Sequence, residues 1–417
     1  MLARFAHGRL YYGWVIVATL AITETISWGI LYYTFAVVLP AMEHELHWSR
    51  VAMTGALSAA LLASGIAAPL VGRWLDRRGP RLLMTVGACV ATGLVLAWSQ
   101  TSQLPAFYLI WIGIGITMAM LLYEPAFVVV NTWFVRQRSR ALSIVTFVAA
   151  FASTIFIPLA TELSERFGWR AAILVLAIIL GVGTIPLHLL VLRRRPADLG
   201  LSVDGEPYLA DVELQPRRRR DVSVRAALRD RTFWWLTTGF TLTTLAAIAI
   251  TIHLIPYLLD HGYDARFAAL AASIIGAMKF PGRLAFAPLE RRIPHPYLAA
   301  VLVLLQGVAV LILMMVPGTS GVLCGVALFG AASGAGTLAR PALLAEHYGQ
   351  THYGRINGVI AFFLAGAQAL APVGSGALYM VFGRYEPVLW IVILIFALAF
   401  GAVLRTEQPR LTVLAAS

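Results

Sequence analysis

Charge is scarce in this chain. Of its 417 residues only 12% are Asp, Glu, Lys or Arg, about half the ~25% of an ordinary soluble domain. Apolar residues make up 59%. A water-soluble fold of this composition would have to expose a large apolar surface, which excludes a soluble enzyme. Disordered and fibrous classes fail for the opposite reason, since they are poor in apolar residues. Lysine is nearly absent: of 32 basic residues, Lys279 alone is lysine. The two cysteines, Cys89 and Cys324, lie in apolar stretches and supply neither a disulfide framework nor metal-ligand spacing.

Catalytic motifs are also missing. No Gly-rich loop followed by Lys appears, so ATP is not expected to drive this protein. Gly334-Ala335-Gly336 lies inside an apolar stretch and reads as close helix packing. No Ser/His/Asp or His/Glu/His spacing stands in a polar segment, so neither an enzyme nor a cofactor or metal site is expected. The net charge of +12 does not point to nucleic acid, because the arginines sit in short clusters between apolar stretches. Arg4 and Arg9 precede an apolar stretch of about thirty residues, too long for a cleaved signal.

What the chain does have is long apolar runs. A bilayer core needs ~20 apolar residues per helix. Twelve stretches qualify: 11–40, 51–72, 81–100, 105–133, 140–161, 169–192, 232–259, 265–289, 296–316, 320–346, 354–381 and 387–405. The one long polar segment, 193–231, separates the sixth from the seventh. With the N-terminus in the cytoplasm, the inside segments collect 24 basic residues and the outside loops five. That asymmetry predicts a multi-pass protein of the cytoplasmic (inner) membrane with both termini inside. The run Arg217 to Arg220 suits anionic headgroups of membrane lipids.

The two halves repeat. Pro40 pairs with Pro256, Asp76-Arg77-Arg78 with Glu290-Arg291-Arg292, and Glu124-Pro125-Ala126 with Arg340-Pro341-Ala342. Arg140 pairs with Arg355, Pro158 with Pro372 and Gly168 with Gly383, every offset lying between 214 and 216 residues. Such a parallel repeat predicts two six-helix bundles, at 1–192 and 232–417, joined by an Arg-rich cytoplasmic linker at 193–231.

After the second stretch stands Gly72-Arg73-Trp74-Leu75-Asp76-Arg77-Arg78-Gly79-Pro80-Arg81. Gly72 permits close helix packing, Gly79 allows a turn, and Asp76 can accept bonds from Arg or from a helix N-terminus. The loop resembles the signature of the major facilitator superfamily. A weaker copy, Ala287-Pro288-Leu289-Glu290-Arg291-Arg292, occupies the matching place in the second half. The resemblance implies an all-α membrane protein of twelve helices in two six-helix bundles. It implies alternating access, a gating role for Gly72, Asp76, Arg77, Gly79, Arg81, Glu290 and Arg291, and a protein expected to work as a monomer.

A finer resemblance follows from Tyr12-Gly13-Trp14, from RRRPADLGLSVDG at 193–205, and from Gly282-Arg283-Leu284. Together they are similar to the branch holding the monocarboxylate transporters and oxalate/formate antiporters, in which an eighth-helix Arg meets the substrate carboxylate. Arg283 is the matching position. Lys279 stands where animal monocarboxylate transporters carry Asp, and Gln368 where the oxalate antiporter carries its second cation.

An ionisable group at mid-bilayer costs at least ~2.5–3.5 kcal/mol, so each needs a reason. Glu24 lies thirteen residues into the first stretch, roughly 20 Å deep, and Glu124 roughly 18 Å before Arg136. Glu124 and its repeat mate Arg340 are expected either to form an ion pair or to carry a proton and an anion respectively. Lys279 and Arg283, spaced i, i+4, share a helix face that an anion between them would relieve. The alternative for Arg283 is to snorkel to the interface. Glu24, beside Thr23, Thr25 and Ser27, is either a hydrogen-bonded packing residue or a proton site. His253 is a polar residue near the outer end with a pKa suited to proton transfer. Tyr33, Tyr123 and Gln368 offer hydrogen bonds to a substrate or simple packing.

The expected function is secondary transport of a small organic anion, a monocarboxylate, with a proton or against another anion. The other reading is proton-driven efflux of a drug-like or metalloid compound through Glu24 or Glu124.

Overall fold

A computed structural model describes residues 11–205 and 222–406. Arg4, Arg9, Arg217 to Arg220 and Arg410 lie outside the described residues. Among the described residues the chain is helical, with no strand.

The first crossing is α1 (Tyr12–Trp28), a π-helical turn (Gly29–Tyr33) and α2 (Thr34–Leu46). It runs past Pro40, where the apolar stretch ends. A membrane helix tolerates an interior proline when neighbouring groups satisfy the freed carbonyl. The next two crossings are α3 (Arg50–Arg78) and α4 (Pro80–Ser99). The fourth is divided: α5 (Leu104–Leu121) and α6 (Tyr123–Trp133) meet at Leu122, whose backbone is extended at φ −83, ψ −167.

Then come α7 (Arg138–Ala149) and α8 (Phe151–Val191). At 1.5 Å per residue, a run of 41 residues is too long for one crossing. Gly168, at φ 82 and ψ 157, breaks it where the fifth stretch gives way to the sixth. After the short α9 (Val224–Arg229) follow α10 (Arg231–Asp260), α11 (Ala265–Glu290), α12 (His295–Met315), α13 (Gly318–Tyr348), α14 (Tyr353–Phe382) and α15 (Tyr385–Leu404). Among the described residues ten helical runs are long and apolar enough to span a bilayer. Dividing Arg138–Val191 at Gly168 and adding α11, which carries Lys279 and Arg283, accounts for the twelve helices of the expected fold.

The chain forms two compact units. Unit one comprises Met1–Arg219 with Gln350–Ala365, and unit two Arg220–Gly349 with Gly366–Ser417. The first part of α14 therefore belongs with unit one. In unit one, α3 packs on α5, α4 on α8, and α1 on α7 and α8. Gly29 makes the approach of α1 to α8 possible, since a Cβ there would collide with the Phe156 ring. In unit two, α13 packs on α11 and α12, and α10 on α15.

The segment 193–205 is folded against unit one. The Asp204 carboxylate accepts hydrogen bonds from the backbone N–H groups of Val135 (3.0 Å), Arg136 (2.8 Å) and Gln137 (3.3 Å), just before α7 begins. Tyr11 packs nearby on Trp133 and Phe134 and donates its hydroxyl to the Trp133 carbonyl. Burial, with the Asp204 charge beside it, pushes the Tyr11 phenol above the usual tyrosine range.

Candidate functional site

In unit one the polar residues gather where two helices lose regularity. α1 passes into its π turn just after Trp28, and π turns are frequent at functional sites. α6 starts inside the membrane at Tyr123, which places Glu124 in its first turn. Discontinuous helices at membrane depth are a recurrent means of presenting polar groups in transporters. The repeat mate of Glu124 shows no such break: Arg340-Pro341 lies within the uninterrupted α13.

Glu24 is 0% exposed, and neither carboxyl oxygen has a hydrogen-bond partner among the described residues. The neighbouring threonines do not serve it. Thr23 donates to the Leu20 carbonyl, and Thr25 to those of Ala21 and Val148. The Trp28 indole is turned toward Glu24, yet its N–H falls outside hydrogen-bond geometry. Glu124 lies close enough to act on Glu24 electrostatically. The Trp28 ring packs on Tyr123 at 5.0 Å and on Tyr32 at 5.4 Å, and Tyr32 meets Tyr33 edge-on at 5.4 Å. Asn357 of α14, itself 1% exposed, donates its side-chain amide to Glu124.

The signature loop is seated on the start of α14. Asp76 accepts from the backbone N–H groups of Gly354 (2.8 Å) and Arg355 (3.0 Å), so a carboxylate meets the positive end of a helix. Of the two partners open to Asp76 in the sequence, the helix N-terminus is the one observed. A Cβ on Gly72 would collide with the Gly354 carbonyl. Gly79 takes φ 78, and Arg81 donates to the Leu189 carbonyl at 2.6 Å. Arg77 is exposed.

In unit two the cations lie on α11. Arg283 is 7% exposed, so its side chain is buried where a snorkelling one would be open. Lys279, one turn earlier, is half-buried and near enough to feel the Arg283 charge. Small residues bring α13 against this helix. A Cβ on Gly330 would collide with Ile275, on Gly334 with the Lys279 backbone, and on Gly282 with the Ala331 carbonyl. Arg340 and Gln368 are half-buried. His253 is paired: its Nε2 lies 2.8 Å from the Ser375 hydroxyl, and its ring 5.4 Å from that of Tyr385. Glu290 lies 3.3 Å from Nε2 of His295, whose Nδ1 is 2.6 Å from Glu346, while Arg291 is exposed. Among the described residues no group of His, Cys, Asp and Glu could hold a metal ion.

Three features were not foreseen from sequence: the Asn357 contact, the break at Leu122 and the π turn. The proline at 125 inside an apolar run is a signal for the second. The other two leave no local mark.

Comparison with known proteins agrees with this architecture. The sequence profile of the Major Facilitator Superfamily matches residues 20–330. Mouse monocarboxylate transporter 11 is 29% identical over 314 residues, covering 73% of this chain and 66% of its own length. Rat monocarboxylate transporter 3 is 27% identical over 404 residues, covering 91% and 76%. A probable L-galactonate transporter of Escherichia coli is 28% identical over 206 residues, covering 48% and 44%. In fold, the transporter FucP, solved in the outward conformation, matches with a TM-score of 0.74 at 16% identity, covering 95% of this chain and all of that one. With a profile match over more than half its length, and a signature loop seated as described, this multi-pass chain is a transporter rather than an enzyme and belongs to the Major Facilitator Superfamily.

Proposed function

We propose that this transporter moves a small organic anion, a monocarboxylate, by alternating access, coupled to a proton or to a counter-anion. The observation that carries the reading is Arg283: a permanently charged, bidentate donor, 7% exposed on a membrane helix, with Lys279 one turn away. Two cations on one helix face, one of them buried, repel, and an anion offsets that cost. The similarity to monocarboxylate transporters over most of the chain supports the same class.

In this reading Arg283 anchors the carboxylate, Lys279 and Arg340 add positive potential, and Tyr33, Tyr123 and Gln368 contribute hydrogen bonds. Glu24, Glu124 or His253 carries the proton. Glu24 leads among them, because it is 0% exposed inside a membrane helix, where an ionisable group is rare and needs a reason. The loop residues Gly72, Asp76, Arg77, Gly79, Arg81, Glu290 and Arg291 form the gate. The protein acts as a monomer in the cytoplasmic membrane with both termini inside, and its Arg-rich linker meets anionic lipid.

The test is a thermal-shift screen of organic acids and lipophilic cations at two pH values, repeated on Arg283→Ala. Monocarboxylates should stabilise the wild type and lose that effect in the variant. Stabilisation by lipophilic cations, unaffected by Arg283→Ala, would replace this reading with proton-driven efflux.

A further inference from the structure

We infer that unit one carries a site for an anionic phospholipid. The lipid phosphate lies among Arg81, Arg193 and Arg194, and the acyl chains run down the outer face of α4 and α8. The inference rests on the lipid contact proposed above for the Arg-rich linker, which it narrows to the first residues of that segment, and it is independent of the carboxylate reading.

Arginines from two distant parts of the chain converge on the turn between α3 and α4. Arg194 covers that turn, since a Cβ on Gly79 would collide with its side chain. Arg193 and Arg81 both lie close enough to the Tyr12 phenol to act on it electrostatically. Arg81 is held through its Nε, which donates to the Leu189 carbonyl at 2.6 Å. Arg77 and Arg78 end α3 beside them and are exposed, and the Arg78 guanidinium lies 4.6 Å from the centre of the Trp74 ring. Tryptophan is enriched where a membrane helix meets the headgroups. Among the described residues none of these arginines forms an ion pair. The acids nearby are engaged with backbone: Asp76 with Gly354 and Arg355, Asp198 with the Arg195 N–H at 3.1 Å, and Asp204 with residues 135–137. The first turn of α4 contains no acid.

Like charges gathered this closely repel. A phosphate that takes charge-assisted bonds from several guanidinium groups offsets that cost. The surroundings select a lipid over a free phosphate. α4 packs along α8, and beside the arginines both helices leave apolar side chains exposed: Leu82 and Val86 on one, Leu189 and Leu190 on the other. An anion with acyl chains suits both parts, whereas a free phosphate leaves the apolar face uncovered. The matching turn of unit two, between α11 and α12, has a different character. There Glu290 and Glu346 flank His295, so negative charge is built in. A topology signal needs basic residues in the loops of both halves. It does not require them to gather, without acids, on one turn of one unit.

The experiment measures lipid binding to the purified full chain by native mass spectrometry, with phosphatidylglycerol and phosphatidylcholine of identical acyl chains. Inorganic phosphate serves as a third probe. Wild type should bind phosphatidylglycerol about tenfold or more tightly than phosphatidylcholine. Arg193→Gln combined with Arg194→Gln should pull that ratio toward one. Arg291→Gln combined with Arg292→Gln should leave it in place, and so should replacement of Arg217 to Arg220 by Gln. Equal binding of the two lipids by wild type overturns the inference, as does a preference that all three variants lose equally. A preference lost only with Arg217 to Arg220 overturns this site and leaves the linker's lipid contact standing. Inorganic phosphate that displaces phosphatidylglycerol at equal concentration overturns the lipid assignment. A photoreactive phosphatidylglycerol needs no variant: on wild type it should label peptides within 80–90 and 189–199, and labelling confined to other peptides overturns the inference. Carboxylate binding is read separately on the same samples, so neither result decides the other.

Discussion

Asp76 accepts two backbone hydrogen bonds from the first turn of α14, at 2.8 Å from Gly354 and 3.0 Å from Arg355. A carboxylate supplied by one helix thus caps another that lies 278 residues away in sequence. Asp76→Asn keeps one acceptor but removes the charge. It should destabilise the protein by about 1 kcal/mol, within the range of lost helix caps, read as a lower melting temperature. An unchanged melting temperature and transport rate would mean that the cap is idle.

Gly72 stands where the same helix start comes closest, and a Cβ there would meet the Gly354 carbonyl. Gly72→Ala should therefore cost more than Asp76→Asn, about 1–3 kcal/mol for overpacking against backbone. The two variants, compared by melting temperature, should rank in that order.

On α13, Gly334 lies against the backbone of Lys279. Gly334→Ala has to push α11 aside, and with it the Lys279–Arg283 face. Expected are a loss of about 1–3 kcal/mol in stability and a weaker affinity for carboxylates. Gly276 of α11, whose added Cβ meets nothing within 4 Å, is the control on the helix that carries Lys279 and Arg283: Gly276→Ala should leave affinity unchanged.

Glu124 takes a hydrogen bond from the buried Asn357. Where Glu124 is the proton site, Glu124→Gln abolishes uptake driven by a pH gradient in proteoliposomes while exchange of labelled for unlabelled substrate persists. Retained pH-driven uptake would remove Glu124 from the proton pathway and leave Glu24.

Most of the architecture was legible because membrane helices announce themselves by length and the repeat by its spacing. Gly168, expected only as a repeat landmark, divides a 41-residue run at φ 82. Local backbone irregularities were not legible. Leu122 takes an extended conformation with nothing unusual in its side chain, and the proline that follows at 125 has a counterpart, Pro341, through which α13 runs unbroken. A proline therefore permits a break, and packing decides whether one occurs. Asn357 was invisible for another reason: its partner lies 233 residues away, and no repeat spacing links them. Glu24, by contrast, stood out as a charge in an apolar run, while its lack of a partner needed coordinates.

The last prediction concerns Asp204, which joins the segment after α8 to the chain entering α7. Its carboxylate takes the N–H groups of Val135, Arg136 and Gln137, and its own backbone sits at φ 63. Two requirements therefore meet in one residue: an acceptor side chain and tolerance of a left-handed backbone. Asparagine meets both with one oxygen fewer, glycine meets only the second, and alanine meets neither. Stability should fall in the order Asp, Asn, Gly, Ala, with Asp204→Ala costing about 1–3 kcal/mol for the lost charge-assisted bonds. Hydrogen exchange at the amides of residues 135–137 reads the staple directly and should accelerate in the same order. Equal exchange in all four proteins would show that these amides are held by something other than Asp204. An order with glycine above asparagine would show that backbone strain, rather than the carboxylate, governs the site.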